Sequence, residues 1–184
     1  KLQTVLSKKY KMSMTDSLAI VQKLYEEGYL TYPRTNSEYL ATAEKGKIRK
    51  ILESCAKIGY PVVFKDHKGI FDDSKIESHS ALTPTFKIPA KEALSDEEKT
   101  VYQMILRRFV AVFCSEECIC QKTELVLAAG ELEEFTLKGT VILEKGWTRF
   151  DGITRNDKIL PDLKVGDTVA IPIDIQKFGR IAAQ

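Results

Sequence analysis

The chain has 184 residues and a mass of 20.8 kDa, with 43% hydrophobic and 29% charged residues, ten Gly and six Pro. These values are ordinary for a globular protein with a real core and exclude collagen-like, low-complexity and disordered classes. No apolar run approaches the ~18 residues of a membrane helix, and no basic-plus-apolar leader opens the chain, so neither a membrane nor an export route is expected. The formal charge of +2 implies no partner, but its distribution is uneven: residues 1–60 hold 11 Lys/Arg against 6 Asp/Glu, and residues 61–184 hold 17 against 20. A basic first third fits contact with a polyanion on one face, and an ordinary solvated surface accounts for it as well.

In chain order, Leu2, Val5, Leu6 and Tyr10 predict a short amphipathic helix. The chain begins at Lys1 inside that helical pattern, which suggests a piece of something longer. A turn over Lys11 to Ser13 leads to a second helix, capped by Ser13 or Thr15 and stopped at Gly28, with Met14, Leu18, Val21, Leu24 and Tyr25 as its apolar side. Two helices joined by a tight turn make a helix-turn-helix-like unit. After a polar, Pro-containing stretch (Thr31 to Ser37), a third helix is expected over about 41–58, with Ile48, Ile51, Leu52 and Cys55 on one stripe. Residues 59–90 read as loop with short strands. Ser95 and Glu98 form a capping-box start for a long helix reaching about Cys114, with Val101, Ile105, Phe109 and Val112 inward. From Cys118 the apolar period moves towards two, and strands are expected over 123–129, 134–143 and 168–173. The expected class is α+β, with a helical part over 1–118 and a β-rich part over 119–184.

Cys55, Cys114, Cys118 and Cys120 are the only cysteines. The last three form C-x3-C-x-C, which is not a zinc spacing, and His67 and His79 are remote in sequence. Buried thiols in a reducing cytosol are the expected reading, with no metal in this chain.

The window carrying chemistry is Glu26 to Ser37, E-E-G-Y-L-T-Y-P-R-T-N-S. Pro33 biases Tyr32 towards an extended backbone, which places the phenol on a loop rather than in a helical stripe. Arg34 supplies a permanent cation with a planar fork suited to phosphate, and Thr35 and Ser37 add hydroxyl donors. A phenol with a pKa of roughly 10 needs a nearby cation or base to become a nucleophile at neutral pH. For an arbitrary Tyr-Pro-Arg tripeptide the commoner outcome is a turn whose Tyr caps a core and whose Arg pairs with an acid.

Context favours the reactive reading. The run L-Y-E-E-G-Y-L-T-Y-P-R-T-N-S from Leu24, with the two preceding helical segments, resembles the active-site signature of type IA DNA topoisomerases, closest to the topoisomerase III branch. Ile70 to Thr85, I-F-D-D-S-K-I-E-S-H-S-A-L-T-P-T, is similar to that family's D-H-x-A-I-x-P-T element, and L-P-D-L-K-V-G-D-T-V from Leu160 is similar to the strand entry of its arch-forming domain. The resemblance implies a winged-helix-like (CAP-like), tyrosine-bearing core over 1–118, followed by part of an antiparallel β arch over 119–184. It implies that Tyr32 cleaves one DNA strand and keeps the 5′ phosphate, with Arg34 and His79 acting at the same phosphate. Relaxation or decatenation would then need no ATP. It also implies single-stranded DNA as the chief partner, with Arg34, Thr35, Asn36 and Ser37 as contacts; a basic groove would suit unpaired DNA, and Lys8, Lys9, Lys45, Lys47 and Arg49 are its candidate residues, with plain solvation as the alternative for each. His67 has no motif around it and reads as a surface residue. Asn36 stands where the family usually has Asp, which removes a charge while keeping shape. Nothing resembles the family's metal-binding (TOPRIM) domain. Magnesium is therefore expected on parts of the family's architecture outside this chain, and little or no activity from this chain alone. Association is expected only through unpaired strand edges. The competing reading is a non-catalytic helix-turn-helix-like DNA-binding module in which Tyr32 is structural, and a third is a protein-interaction domain.

Overall fold

A computed structural model describes residues 2–90, 92–129, 133–151 and 157–169. The chain forms two compact units, 1–120 with 142–156 and 121–141 with 157–184. The units interleave in sequence: the stretch after the second strand returns to the first unit, where a single boundary near 118 was expected.

The first unit is helical. It holds α1 (Leu2–Tyr10), α2 (Met14–Glu26), α3 (Lys45–Lys57), α4 (Asp96–Phe113) and a short α5 (Thr148–Asp151). Its core draws Leu6 from α1, Val21 and Leu24 from α2, Ile48, Ile51, Leu52 and Cys55 from α3, and Val101, Ile105, Phe109, Val110 and Phe113 from α4. The α3 stripe matches its expected residues, and a 3₁₀ turn at Thr42–Glu44 precedes the α-helix proper. In α4 the Ser95 hydroxyl accepts from the Glu98 N–H while the Glu98 carboxylate accepts from the Ser95 N–H, so the expected capping box is formed. Val112 is only half-buried.

The inward face of α2 differs from expectation. Ser17, Val21 and Leu24 are buried, whereas Met14 and Leu18 are each 55% exposed. Residues 17, 21 and 24 follow the i, i+4, i+7 pattern of one stripe; 14, 18 and 25 lie on the neighbouring stripe, which shares only Val21. The helix is therefore turned so that a small serine, its hydroxyl donating back to the Met14 carbonyl at 2.9 Å, faces the core. In α1, Leu6 alone is fully buried, and Val5 and Tyr10 face outwards.

Residues 59–90 contain a 3₁₀ turn at Asp73–Lys75 and isolated bridges, Leu30 to Pro84, Leu40 to Phe71 and Val62 to Cys114, in place of the expected short strands. Cys55 and Cys114 are buried, while Cys118 and Cys120 are half-buried with their sulfurs 3.5 Å apart.

The second unit is built on a two-stranded antiparallel ribbon, β1 (Ile119–Ala129) and β2 (Glu133–Glu144). Residues 157–160 run along β2, with Thr140 and Lys158 exchanging both backbone hydrogen bonds at 3.1 Å. Gly139 permits this approach, because a Cβ there would sit 2.6 Å from the Lys158 carbonyl oxygen. The expected strand at 168–173 lies mostly outside the described residues, and its described part, Thr168 and Val169, is not in a strand. No helix among the described residues is long and apolar enough to cross a membrane.

Candidate active site

Two sequence blocks, 38 to 57 residues apart at their hydrogen-bonded positions, come together as an irregular antiparallel ladder. Its start is fixed by the end of α2. Gly28 adopts φ +78°, a left-handed backbone that glycine takes without strain, and its N–H closes on the Tyr25 carbonyl at 2.9 Å. The Lys87 ammonium donates to the Glu27 carbonyl at 2.8 Å, a cation on the negative end of the helix. From this corner the chain runs back along residues 75–85. Thr85 donates its hydroxyl to the Gly28 carbonyl and its N–H to the Tyr29 carbonyl. Thr31 and Thr83 exchange three hydrogen bonds, two through the Thr31 hydroxyl. Further on, the Thr35 hydroxyl donates to the His79 carbonyl at 2.9 Å.

Tyr32 lies between these two tied points. Its ring is 37% exposed, and the imidazole of His79 packs against it with centroids 4.4 Å apart and planes at 47°. Tyr25 meets the same phenol edge-to-face, with centroids 5.6 Å apart at 82°. Arg34 is exposed, and its guanidinium has no partner among the described residues. Tyr32 and His79 are thus brought into contact, and an exposed guanidinium stands two residues from the phenol.

The other expected contacts fare differently. The Thr35 hydroxyl donates to His79 and accepts from the Ser37 N–H. The Ser37 hydroxyl lies 3.3 Å from both the Tyr39 and Lys75 carbonyls. Both hydroxyl groups therefore hold the loop in shape rather than standing open to a ligand. The Asn36 amide reaches the Glu77 carboxylate at 3.4 Å. An Asp at position 36 would face that carboxylate as a like charge, so the amide suits this neighbour. Lys8 and Lys9 lie exposed in the last turn of α1. Lys45 pairs with Asp66 at 2.8 Å, Lys47 approaches Glu44 at 3.9 Å, and the Arg49 guanidinium stacks 3.5 Å over the Phe64 ring. These three are engaged locally. His67 is exposed and uses its Nδ1 to accept from the Gly69 N–H.

Tyr25 is the residue at this site that sequence reasoning missed. It was assigned to the apolar side of α2, although its seven-residue spacing from Tyr32 across the Gly28 corner was visible. No three His, Cys, Asp or Glu side chains converge to hold a metal ion among the described residues. The described residues do not fit a magnesium site.

A DNA topoisomerase family model matches residues 1–178. DNA topoisomerase 3 of Bacillus cereus is 33% identical over 202 aligned positions, covering 99% of this chain and 27% of that protein. DNA topoisomerase 1 of Methanothermobacter thermautotrophicus is 34% identical, covering 92% and 24% respectively. The full-length topoisomerase I structure from Thermotoga maritima superposes with a TM-score of 0.58 at 25% identity, covering 89% of this chain and 28% of that one. The chain spans about a quarter of the length of the curated relatives it matches. A match running through both halves of the ladder and on into the β ribbon means that the chain belongs to the type IA DNA topoisomerase family and is topoisomerase III-like.

Proposed function

We propose that this chain carries the nucleophile with which a type IA topoisomerase cuts and reseals one DNA strand. The observation that carries the reading is the exposed phenol of Tyr32, lying against the His79 ring with the exposed Arg34 two residues on. The Tyr32 oxygen attacks a backbone phosphorus and forms a P–O bond to the ring. The bond from phosphorus to the 3′ oxygen breaks, that oxygen leaves as a hydroxyl bearing the phenol's proton, and the 5′ phosphate stays on the tyrosine. The reverse step reseals the strand, and because the phosphotyrosine conserves the phosphodiester bond energy, no ATP is consumed. Arg34 binds the phosphate oxygens and offsets charge developing on them, while His79 holds the phenol and the phosphate together.

The substrate is single-stranded DNA, entering over the exposed Tyr32 phenol and the basic first third of the chain. In this reading the helical unit is a winged-helix-like, CAP-like tyrosine domain, and the β ribbon is part of the arch that opens for strand passage. Efficient cleavage then requires acidic, magnesium-binding residues supplied from outside the described residues, since none of these cluster.

The test uses the whole protein that carries this chain, mixed with end-labelled single-stranded oligonucleotide in magnesium buffer. Parent protein yields an oligonucleotide adduct that survives denaturation. Tyr32→Phe still binds the oligonucleotide and yields no adduct. An adduct that persists in Tyr32→Phe refutes the proposal, and a parent that binds without ever forming one favours the binding-module alternative.

A further inference from the structure

We propose that Tyr25 is a positioning residue for Tyr32, serving as the rigid ring against which the nucleophilic phenol is aligned. The inference rests on the nucleophile reading above. The hydrogen bonds of the ladder stop at Thr31 and resume at Thr35, so they fix the backbone on either side of Tyr32 and leave its ring to be oriented by side-chain neighbours. Two rings do this, His79 and Tyr25.

They are not equivalent supports. His79 is exposed and projects from an irregular loop. Tyr25 projects from the penultimate residue of the 13-residue helix α2, and its carbonyl accepts from the Gly28 N–H at 2.9 Å. Its backbone is therefore fixed by the helix and by the Gly28 corner that returns the chain towards it. The 5.6 Å centroid distance and 82° interplanar angle lie within the favoured edge-to-face range.

Tyr25 is not needed by the core, being 36% exposed and on the outward stripe with Met14 and Leu18. A large aromatic on a solvent-facing stripe, touching the exposed Tyr32 phenol edge-to-face, has its use at that phenol. In-line attack on phosphorus requires the oxygen to be held close to one approach direction, and small misplacements are costly. Removing an aromatic pair of this kind should reduce the productive population roughly three- to tenfold.

The experiment compares Tyr25→Leu, Tyr25→Phe and Tyr32→Phe in the whole protein that carries this chain, with a labelled single-stranded oligonucleotide in magnesium buffer. Oligonucleotide affinity and the single-turnover rate of adduct formation at saturating oligonucleotide are read separately. Tyr25→Leu keeps apolar bulk but removes the ring. It is expected to slow adduct formation about three- to tenfold at unchanged affinity, and Tyr25→Phe to restore the rate. Circular dichroism that matches the parent shows that the helix is intact in each variant. A parental rate in Tyr25→Leu overturns the inference. So does a loss confined to affinity, which would make Tyr25 a DNA contact, and so does a Tyr25→Phe variant as slow as Tyr25→Leu, which would place the effect in the hydroxyl. If Tyr32→Phe forms no adduct while Tyr25→Leu is parental, only the positioning role fails; if Tyr32→Phe forms adduct, the nucleophile reading fails with it.

Discussion

Arg34 and Tyr102 both lack a hydrogen-bond partner among the described residues, and water decides what each omission costs. The Arg34 guanidinium is exposed, so its donors are satisfied by solvent and remain available to a phosphate. The Tyr102 hydroxyl is buried in the helical core, and burial, with the neighbouring Cys55, Tyr60 and Tyr29, pushes its pKa well above the usual phenol value. Cys55 nearby is also raised, to about 11, by burial alone. A buried hydroxyl without a partner forfeits its hydration for nothing in return. Tyr102→Phe keeps the ring and its edge-to-face contact with Tyr29, 6.3 Å away between centroids. It should stabilise the fold by about 1 kcal/mol, seen as a higher urea midpoint at unchanged m-value. A lower midpoint would mean that the hydroxyl has a partner after all.

At the scale of elements, α2 and α4 are joined by one ion pair whose acidic member also caps a helix. The Lys23 ammonium lies 2.6 Å from the Glu98 carboxylate, which also accepts from the Ser95 N–H. The hydrogen bond from Lys23, then that from Ser95, holds the Glu98 carboxyl below its ordinary range, and Glu98 raises Lys23 in turn. Glu98 therefore contributes stability that is present above its unfolded pKa, close to the ordinary glutamate value of 4.5, and lost as pH falls through its lower folded value. Asp72 and Asp73, lowered chiefly by hydrogen bonds from Ser74 and Thr42, act in the same direction. Lys23 contributes below its unfolded pKa and loses that contribution as pH rises through its raised folded value. Glu98→Gln keeps the capping geometry and discards the ion pair. Melting temperatures across pH should show the variant below the parent at neutral pH, with the two curves converging under strongly acidic conditions. A gap that stays constant into acid would remove the ion pair as its cause.

The same elements show what the sequence made legible. The Ser95–Glu98 box, the Ser13 cap and the Gly28 stop were readable because each is a contact between residues no more than four positions apart or a backbone preference of one residue. The α3 stripe was readable because a polar opposite face leaves only one solution. The α2 stripe was misread because its outward row is as apolar as its inward one, and which row is buried depends on α1 and α4, not on α2. The site divides in the same way. Tyr32, Arg34 and His79 were nominated through motif resemblance, but the pairing of 28–37 with 75–85 is a long-range register that no local pattern encodes. The commitment of the Thr35 and Ser37 hydroxyls to the backbone, and the contact between Tyr25 and Tyr32, follow from that register and were invisible without it.

For the molecule as a whole, the two units differ in how they are held. The helical unit buries a contiguous core in which Leu6, Leu24, Ile51, Val101, Val110 and Phe113 are fully enclosed. In the ribbon, Gly139 is the only residue of β1 or β2 that reaches full burial, and the large apolar side chains Ile119, Val126, Phe135 and Leu143 stay exposed. A two-stranded ribbon taken alone is marginal in water, so its hydrogen bonds should open by local fluctuation at a small fraction of the cost of unfolding the helical core. Native-state hydrogen exchange on this chain should therefore find its slowest amides in α3 and the middle of α4. The β1 and β2 amides should exchange faster by at least about tenfold and show little sensitivity to low urea, the mark of opening without global unfolding. If ribbon and core amides exchanged at one common rate, the chain would be a single cooperative body. The ribbon would then be unsuited to the independent opening that the proposed arch role requires.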